Sequence, residues 1–246
     1  MNLEWSIFVD YGPTILVGFK TTIWIVCAAT LIGLPLGLLL ALGRQAAFTP
    51  LRIACTAFIE LFRNTPFMIQ VFLLYYVLPF YGLRLPSTVV GVLALAIFSS
   101  VYYAEILRAG VNALPRGQME SARASGMSKA QAMRHVVLPQ ALPIMLPPLC
   151  SQTLSLVKES AILSTITVQE MTMTALRVQA ETFRPFEAFI MIALLYWALN
   201  ETIAMLVRRY ERRVARNRGA RSAAATIDHD SLSSRPTLLS GATHRG

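Results

Sequence analysis

Charge is scarce in this chain. Of its 246 residues 14% are charged and 55% hydrophobic, and the mean hydropathy is +0.54. So low a charge density excludes a typical soluble domain of this length and points to a polytopic membrane protein. Cysteine is nearly absent. Cys27, Cys55 and Cys150 lie in or near apolar segments without metal-ligand spacing, and read as small core or lipid-facing residues. The three histidines, His135, His229 and His244, lie outside the apolar runs. With no paired-metal spacing, no activated-serine signature and no glycine-rich phosphate loop, the residues offer no enzyme chemistry. The acidic or carbonyl ring of a selective ion filter is missing too, and no internal repeat stands out. The net charge of +9 comes with no basic-aromatic surface, so nucleic acid is not an expected partner. Glu4 and Asp10 stand in Met1–Pro13 where a cleavable signal peptide would carry basic residues, so none is expected there.

What the chain does have is long apolar runs. Five reach the roughly 20 residues that a bilayer core demands: Thr21–Leu42, Thr65–Leu83, Leu85–Ala104, Val136–Val157 and Ala188–Val207. The fold predicted is all-α, with five transmembrane helices in a core of residues 21–207. Residues 1–20 form an external or interfacial segment, in which Leu3–Lys20 is half-polar and Trp5 and Tyr11 suit the interface. Residues 208–246 form a basic cytoplasmic tail, expected to lack regular structure from about Arg216. All Lys and Arg residues except Lys20, Arg84, Lys158, Arg177 and Arg184 fall on one side of these spans. The positive-inside rule therefore puts the N-terminus outside, the C-terminus in the cytoplasm and the polar island of residues 108–135 in the cytoplasm.

Within that scheme several local features stand out. Arg63-Asn64-Thr65-Pro66 is a helix-start signal for the second span. Arg63 reads first as a positive-inside anchor, with a brace to Glu60 or Glu105 as the other reading. Glu105 lies three residues before Arg108, the spacing of an ion pair on one helix face. The fourth span carries Pro139, Pro143, Pro147 and Pro148 and is expected to be broken or kinked. The polar set that follows it, Ser151, Gln152, Ser155, Lys158, Glu159 and Ser160, is costly in lipid and suits a subunit contact or a solute path. Ser164–Arg184 reads as an external amphipathic helix. Glu201, inside the last span, is expected to pair or to face water.

The polar island is read as a docking element. Pro115 suits a helix start, a helix follows from Arg116 to about Ser125, Gly126 suits a left-handed C-terminus, and Ser128 with Gln131 has capping-box spacing. Ser121, Ala122, Ala124 and Ser125 give the first helix a small-residue face rimmed by Arg116, Glu120 and Arg123. The bland alternative is a solvated loop between spans.

Glu120-Ser121-Ala122, Gly126, Val136 and Leu138-Pro139 resemble the cytoplasmic loop of ABC-transporter membrane subunits. That pattern is Glu-Ala-Ala, a glycine four residues after the second alanine, an aliphatic residue, then Leu-Pro. Ser121 and Val136 are the two departures, both conservative. The likeness extends through Glu60–Pro79, Ser100–Gln118 and Leu146–Ile166 and is similar to the polar amino-acid uptake branch, covering most of residues 14–207. It implies a type I importer-like permease in the bacterial inner membrane, coupled to a cytoplasmic ABC ATPase through residues 116–126. Arg116, Glu120, Ser121, Ala122, Arg123, Ser125, Gly126, Leu138 and Pro139 are the implied coupling residues. It also implies a second permease subunit, identical or related, an extracytoplasmic solute-binding protein and surrounding lipid. No cofactor is expected in this chain, ATP and magnesium belonging to the ATPase. The solute implied is a polar amino acid, with Gln70, Tyr75, Tyr76, Ser99, Tyr102, Ser155, Lys158 and Glu159 as candidate path residues, each of which also reads as packing or an interface anchor. An opine or other amino-acid-like solute and an ATP-independent channel are the alternatives.

Overall fold

The computed structural model describes residues 6–233, which form helices and turns and no strand. A short helix α1 (Ser6–Asp10) leads into α2 (Gly12–Gly43), whose first turn holds Pro13, where a missing N–H costs nothing. At 32 residues α2 exceeds the bilayer core. Residues 12–20 are continuous with it, so part of the expected N-terminal segment is helix. Ile15 and Gly18 are buried in this stretch, and the added Cβ of an alanine at Gly18 would meet Thr174.

The axis of the bundle is α5 (Ser87–Asn112), the most deeply buried of the apolar helices. Its approach to α2 is set by Gly33 and Gly37, one helical turn apart. A Cβ at Gly37 would stand 2.7 Å from the Ser100 carbonyl oxygen and from Tyr103 Cβ, and one at Gly33 would overlap Ser99 Oγ. Small residues at i and i+4 are the usual means of bringing two membrane helices into backbone contact. Around this seam Ile25, Val26, Ala29, Val90, Leu95, Tyr103, Leu156 and Leu163 form the main core.

Between α2 and α5 the chain makes a corner. Helix α3 (Thr49–Arg63), which has no counterpart among the five expected spans, is amphipathic: Ile59 is buried while Leu51, Ile53 and Leu61 are exposed. It meets the next helical stretch at 110°. That stretch is α4 (Phe67–Phe72), a π turn (Leu73–Val77) and a 3₁₀ turn (Leu78–Tyr81), closed by Gly82 at φ +81°. Phe67–Tyr81 is long and apolar enough for a crossing together with α3 across the bend.

Two short helices follow α5. They are α6 (Arg116–Ala124) and α7 (Lys129–Ala132), and a π turn (Met133–Val137) then runs into α8 (Leu138–Glu159). Helix α8 runs without a break through Pro143, Pro147 and Pro148, where a broken or kinked helix was expected. Pro139 falls in the first turn, and Pro139, Pro143 and Pro147 share one face at four-residue spacing, with Pro148 beside it, so the lost hydrogen bonds are concentrated on one side of the helix. A 3₁₀ turn (Ser160–Ile166) and α9 (Met171–Thr182) precede α10 (Pro185–Ser233).

Three helices, Gly12–Gly43, Ser87–Asn112 and Pro185–Tyr210, are long and apolar enough to cross a membrane, and the bent pair brings the number to four. Leu138–Glu159, the remaining expected crossing, has the length, but its prolines and polar residues dilute its apolarity. Residues from Met205 onward form a unit of their own, described to Ser233 as helix. Alanine and arginine favour helix there, where a tail without regular structure was expected; residues 234–246 lie outside the described residues.

The glycine seam gives a prediction. Gly37→Val forces a side chain into the α5 backbone and should cost about 3 kcal/mol, the upper end for overpacking. Gly117→Ala, whose Cβ meets nothing within 4 Å, should shift stability by less than about 1 kcal/mol. Thermal unfolding of the detergent-solubilised protein checks both.

Candidate functional site

The α6–α7 corner is built from local chemistry. Pro115, at φ −55° and ψ 133°, stands one position before α6 and points the chain into it. The helix ends in a Schellman motif: Gly126 N–H donates to the Arg123 carbonyl at 3.0 Å and Met127 N–H to the Ala122 carbonyl at 3.3 Å. Gly126 holds φ +86°, which a residue with a side chain adopts only at a cost. Ser128 then caps α7 reciprocally, its Oγ accepting from Gln131 N–H while Gln131 Oε1 accepts from Ser128 N–H at 2.8 Å. No bond in this corner needs a distant residue.

One face of α6 is turned inward and the rest outward. Ala122 is its single buried residue, and Ala132 and Val137 are buried on the elements that α6 packs against. Arg116, Glu120, Ser121, Arg123 and Ser125 are all exposed, so of the small-residue face only Ala122 is spent on packing. Gln140 Nε2 donates to Gln118 Oε1 at 3.0 Å, tying α6 to the base of α8 beside the exposed Leu138 and Pro139.

Next to this corner, the C-terminal parts of three helices meet in an ion network. Glu105 on α5 pairs with Arg108 at 2.8 Å, the i,i+3 pair anticipated, and through its other oxygen with Arg44 at the end of α2. Arg44 also reaches Glu60 on α3 at 3.6 Å. The brace imagined for Arg63 is thus made by Arg44, because α3 turns Glu60 toward the end of α2 and leaves Arg63 exposed at its own terminus.

The candidate path residues do not form one group. Gln70 is buried and serves the 110° corner, its Nε2 donating to the carbonyls of Phe62 at 2.8 Å and Thr65 at 3.0 Å. Asn64 and Thr65 side chains donate to the Glu60 and Leu61 carbonyls, so the broken helix end is satisfied by its own sequence. Ser99 lies in the glycine seam with its hydroxyl on the Ala96 carbonyl, and Tyr102 packs on Phe98. Tyr75 and Tyr76, presented by the π turn, line an open concavity of about 590 Å³ with Phe80 and Arg84. Ser155, Lys158 and Glu159 share the last turns of α8, where Lys158 is exposed and Glu159 half-buried.

A residue that composition did not single out is Glu170. Fully buried, it caps α9 through Thr172 N–H at 2.8 Å and Met173 N–H at 2.7 Å, and accepts from the Tyr196 hydroxyl of α10 at 3.0 Å. Met171 N–H donates to Thr22 on α2 at 3.1 Å, so α2, α9 and α10 share one polar knot. The sequence signal for it is an acidic residue immediately before a helix start. Burial pushes the Glu170 carboxyl above its ordinary value of 4.5, against the pull of the two amides and the tyrosine. Among the described residues no group of histidine, cysteine and carboxylate side chains can hold a metal.

An apolar bundle with a self-capped polar corner at one end is the architecture of a transport component, and the chain belongs to the family of binding-protein-dependent transport system inner membrane components, whose pattern residues 33–216 match. It is a multi-pass inner-membrane protein and a transport subunit, not an enzyme. Among its relatives is the "Probable glutamine ABC transporter permease protein GlnM" of Bacillus subtilis (strain 168), 37% identical over 212 residues, which are 86% of this chain and 98% of that one. The arginine transport system permease protein ArtQ of the same organism is 33% identical over 88% of this chain and 100% of its own. The crystal structure of an amino acid ABC transporter with histidines contains a chain 38% identical to this one. It superposes with a TM-score of 0.83 over 87% of this chain and 100% of its own.

Glu170 makes stability depend on pH. Because the folded protein holds this proton more tightly than the unfolded chain, stability should fall as pH rises from about 4.5 through the raised value and level off above it. Thermal unfolding followed against pH should show this slope in the wild type, and Glu170→Gln should remove it.

Proposed function

We propose that this chain is the permease subunit of an ATP-driven importer for a polar amino acid, and that α6 is its coupling helix. The observation that carries the reading is that relatives matched over 98% and 100% of their length bear the names of glutamine and arginine permeases. A second permease subunit, identical or related, completes the path. A cytoplasmic ABC ATPase carries the ATP and magnesium, and a solute-binding protein delivers to the outer face at the Gly82–Ser87 turn and the Ser164–Pro185 region. The distribution of Lys and Arg supports an outside N-terminus and a cytoplasmic α6, beside that ATPase.

In this mechanism the permease does no chemistry. The exposed Arg116, Glu120, Ser121, Arg123 and Ser125 seat in a groove of the ATPase, Gly126 sets the angle between α6 and α7, and Leu138 and Pro139 receive the movement at the start of α8. ATP-driven closure of two ATPases then rocks the helices between inward and outward access. A zwitterionic solute offers a carboxylate to Lys158 and an ammonium to Glu159 at the end of α8, with Ser155 one turn before them. Tyr75 and Tyr76 supply aromatic walls on the outer side. Gln70, Ser99 and Tyr102, already occupied by packing and backbone bonds, shape the path without contacting solute.

Glu120→Lys and Gly126→Val should leave the protein in the membrane yet lower ATP-dependent amino-acid uptake at least about tenfold, a loss of about 1.4 kcal/mol or more of docking free energy. The check is uptake of labelled glutamine and arginine by proteoliposomes holding the permease and its ATPase, together with co-purification of the ATPase. Normal uptake by both variants, or an ion current from the permease alone, would exclude the reading.

A further inference from the structure

The ion network at the inner end has more structure than an anchor requires. A positive-inside anchor needs only exposed guanidiniums near the headgroups. Here Glu105 has a side chain only 18% exposed and gives one carboxylate oxygen to Arg44 and the other to Arg108, which reaches it through Nη2 at 2.8 Å and Nε at 3.2 Å. Arg44, 23% exposed, is shared in turn with Glu60 at 3.6 Å. Each of the three residues bonded to Glu105 directly or through Arg44 stands at a mechanically significant place. Arg44 ends the longest apolar helix, Glu60 is on the amphipathic α3, and Arg108 is on the last turns of α5, which lead through Pro115 into α6. Beneath the charges Ala41, Ile59, Val101 and Ala104 pack the same three helices together.

We propose that Glu105 is a positioning residue for transport: steadied on its own helix by Arg108, it holds Arg44, which is shared with Glu60, and so makes the inner ends of α5, α2 and α3 one body. A displacement of α6 is then delivered to α2 and α3 and is not dissipated as bending of α5 against them. The physical ground is the cost of opening the grip. Without the carboxylate, two guanidiniums face each other across a partly desolvated gap, and α5 loses its ion pair to Arg44, the residue that joins it to α2 and, through Glu60, to α3. This inference rests on α6 being the coupling helix.

The experiment uses the reconstituted permease–ATPase complex and reads labelled amino acid moved per ATP hydrolysed. Glu105→Gln and Arg44→Gln should each retain the ATPase in equal amount and keep its basal hydrolysis, yet lower uptake per ATP at least about fivefold. The double variant should be no worse than the poorer single one, since both remove the same link. Wild-type uptake per ATP in either single variant, or additive losses in the double, would overturn the proposal. So would loss of the folded complex in both single variants, which would make the network a stability element only. Glu120→Lys, run alongside, separates the two readings: if it keeps ATPase and uptake, docking through α6 fails whatever Glu105 does.

Discussion

A peptide group with no partner costs several kcal/mol in hydrocarbon, where water cannot stand in for the missing bond. Three irregular elements of this bundle answer that cost largely from their own sequence. At the 110° corner the carbonyls freed at the end of α3 are taken up by Asn64, Thr65 and Gln70, all within ten residues of the break. Three of the four prolines of α8 align their missing donors on one face, with Pro148 beside them, which concentrates the losses on one side of the helix. Where the chain turns back at α6, the Schellman bonds and the Ser128–Gln131 box close the helix ends without borrowing from elsewhere. Such corners can sit at the edge of a membrane protein and still move as units, because their hydrogen bonds travel with them.

Packing then sets what moves with what. Helix α5 is held along one side by the glycine seam with α2, and its Tyr103 hydroxyl reaches Thr153 of α8 at 3.0 Å. At its inner end the charges on Arg44, Glu60, Glu105 and Arg108 gather α2 and α3 onto it, and α6 follows directly. At the other end of α2 the Glu170 knot joins α9 and α10 by polar bonds to a fully buried carboxylate. A transport subunit must pass displacement between its faces without melting, and polar fastenings at both ends of an apolar bundle suit that task. They hold geometry through direction, which dispersion between apolar side chains does not supply.

Much of the candidate site was legible before the structure, since it depends on neighbours in the chain. Gly126 in the left-handed region and the Ser128–Gln131 box follow from i,i+3 relationships and need no tertiary context. The Glu105–Arg108 pair is of the same kind. Helix α3 was missed because its apolar residues recur with helical period inside a stretch that also carries Arg52, Glu60 and Arg63, so an apolar-run criterion passes over it. Gln70 and Ser99 looked like path residues because both are polar in apolar runs. Their partners are the carbonyls of a corner and the hydrogen-bonding groups of their own helix, which composition does not reveal. Gly33 and Gly37 went unremarked too: their four-residue spacing is a sequence signal that a search for apolar runs passes over.

The amino-acid order by itself determined the membrane class, the apolar helices and the capped corner of α6 and α7, because hydropathy, proline, glycine and capping side chains act within a few residues of where they stand. Only the tertiary structure decided that Arg44 and not Arg63 braces Glu105 and Glu60, that Glu170 is fully buried against Tyr196, and that α3 turns through 110° into α4. Those outcomes depend on which helix faces meet, and partners such as Arg44 and Glu105, 61 residues apart in the chain, are chosen by packing that no local pattern encodes.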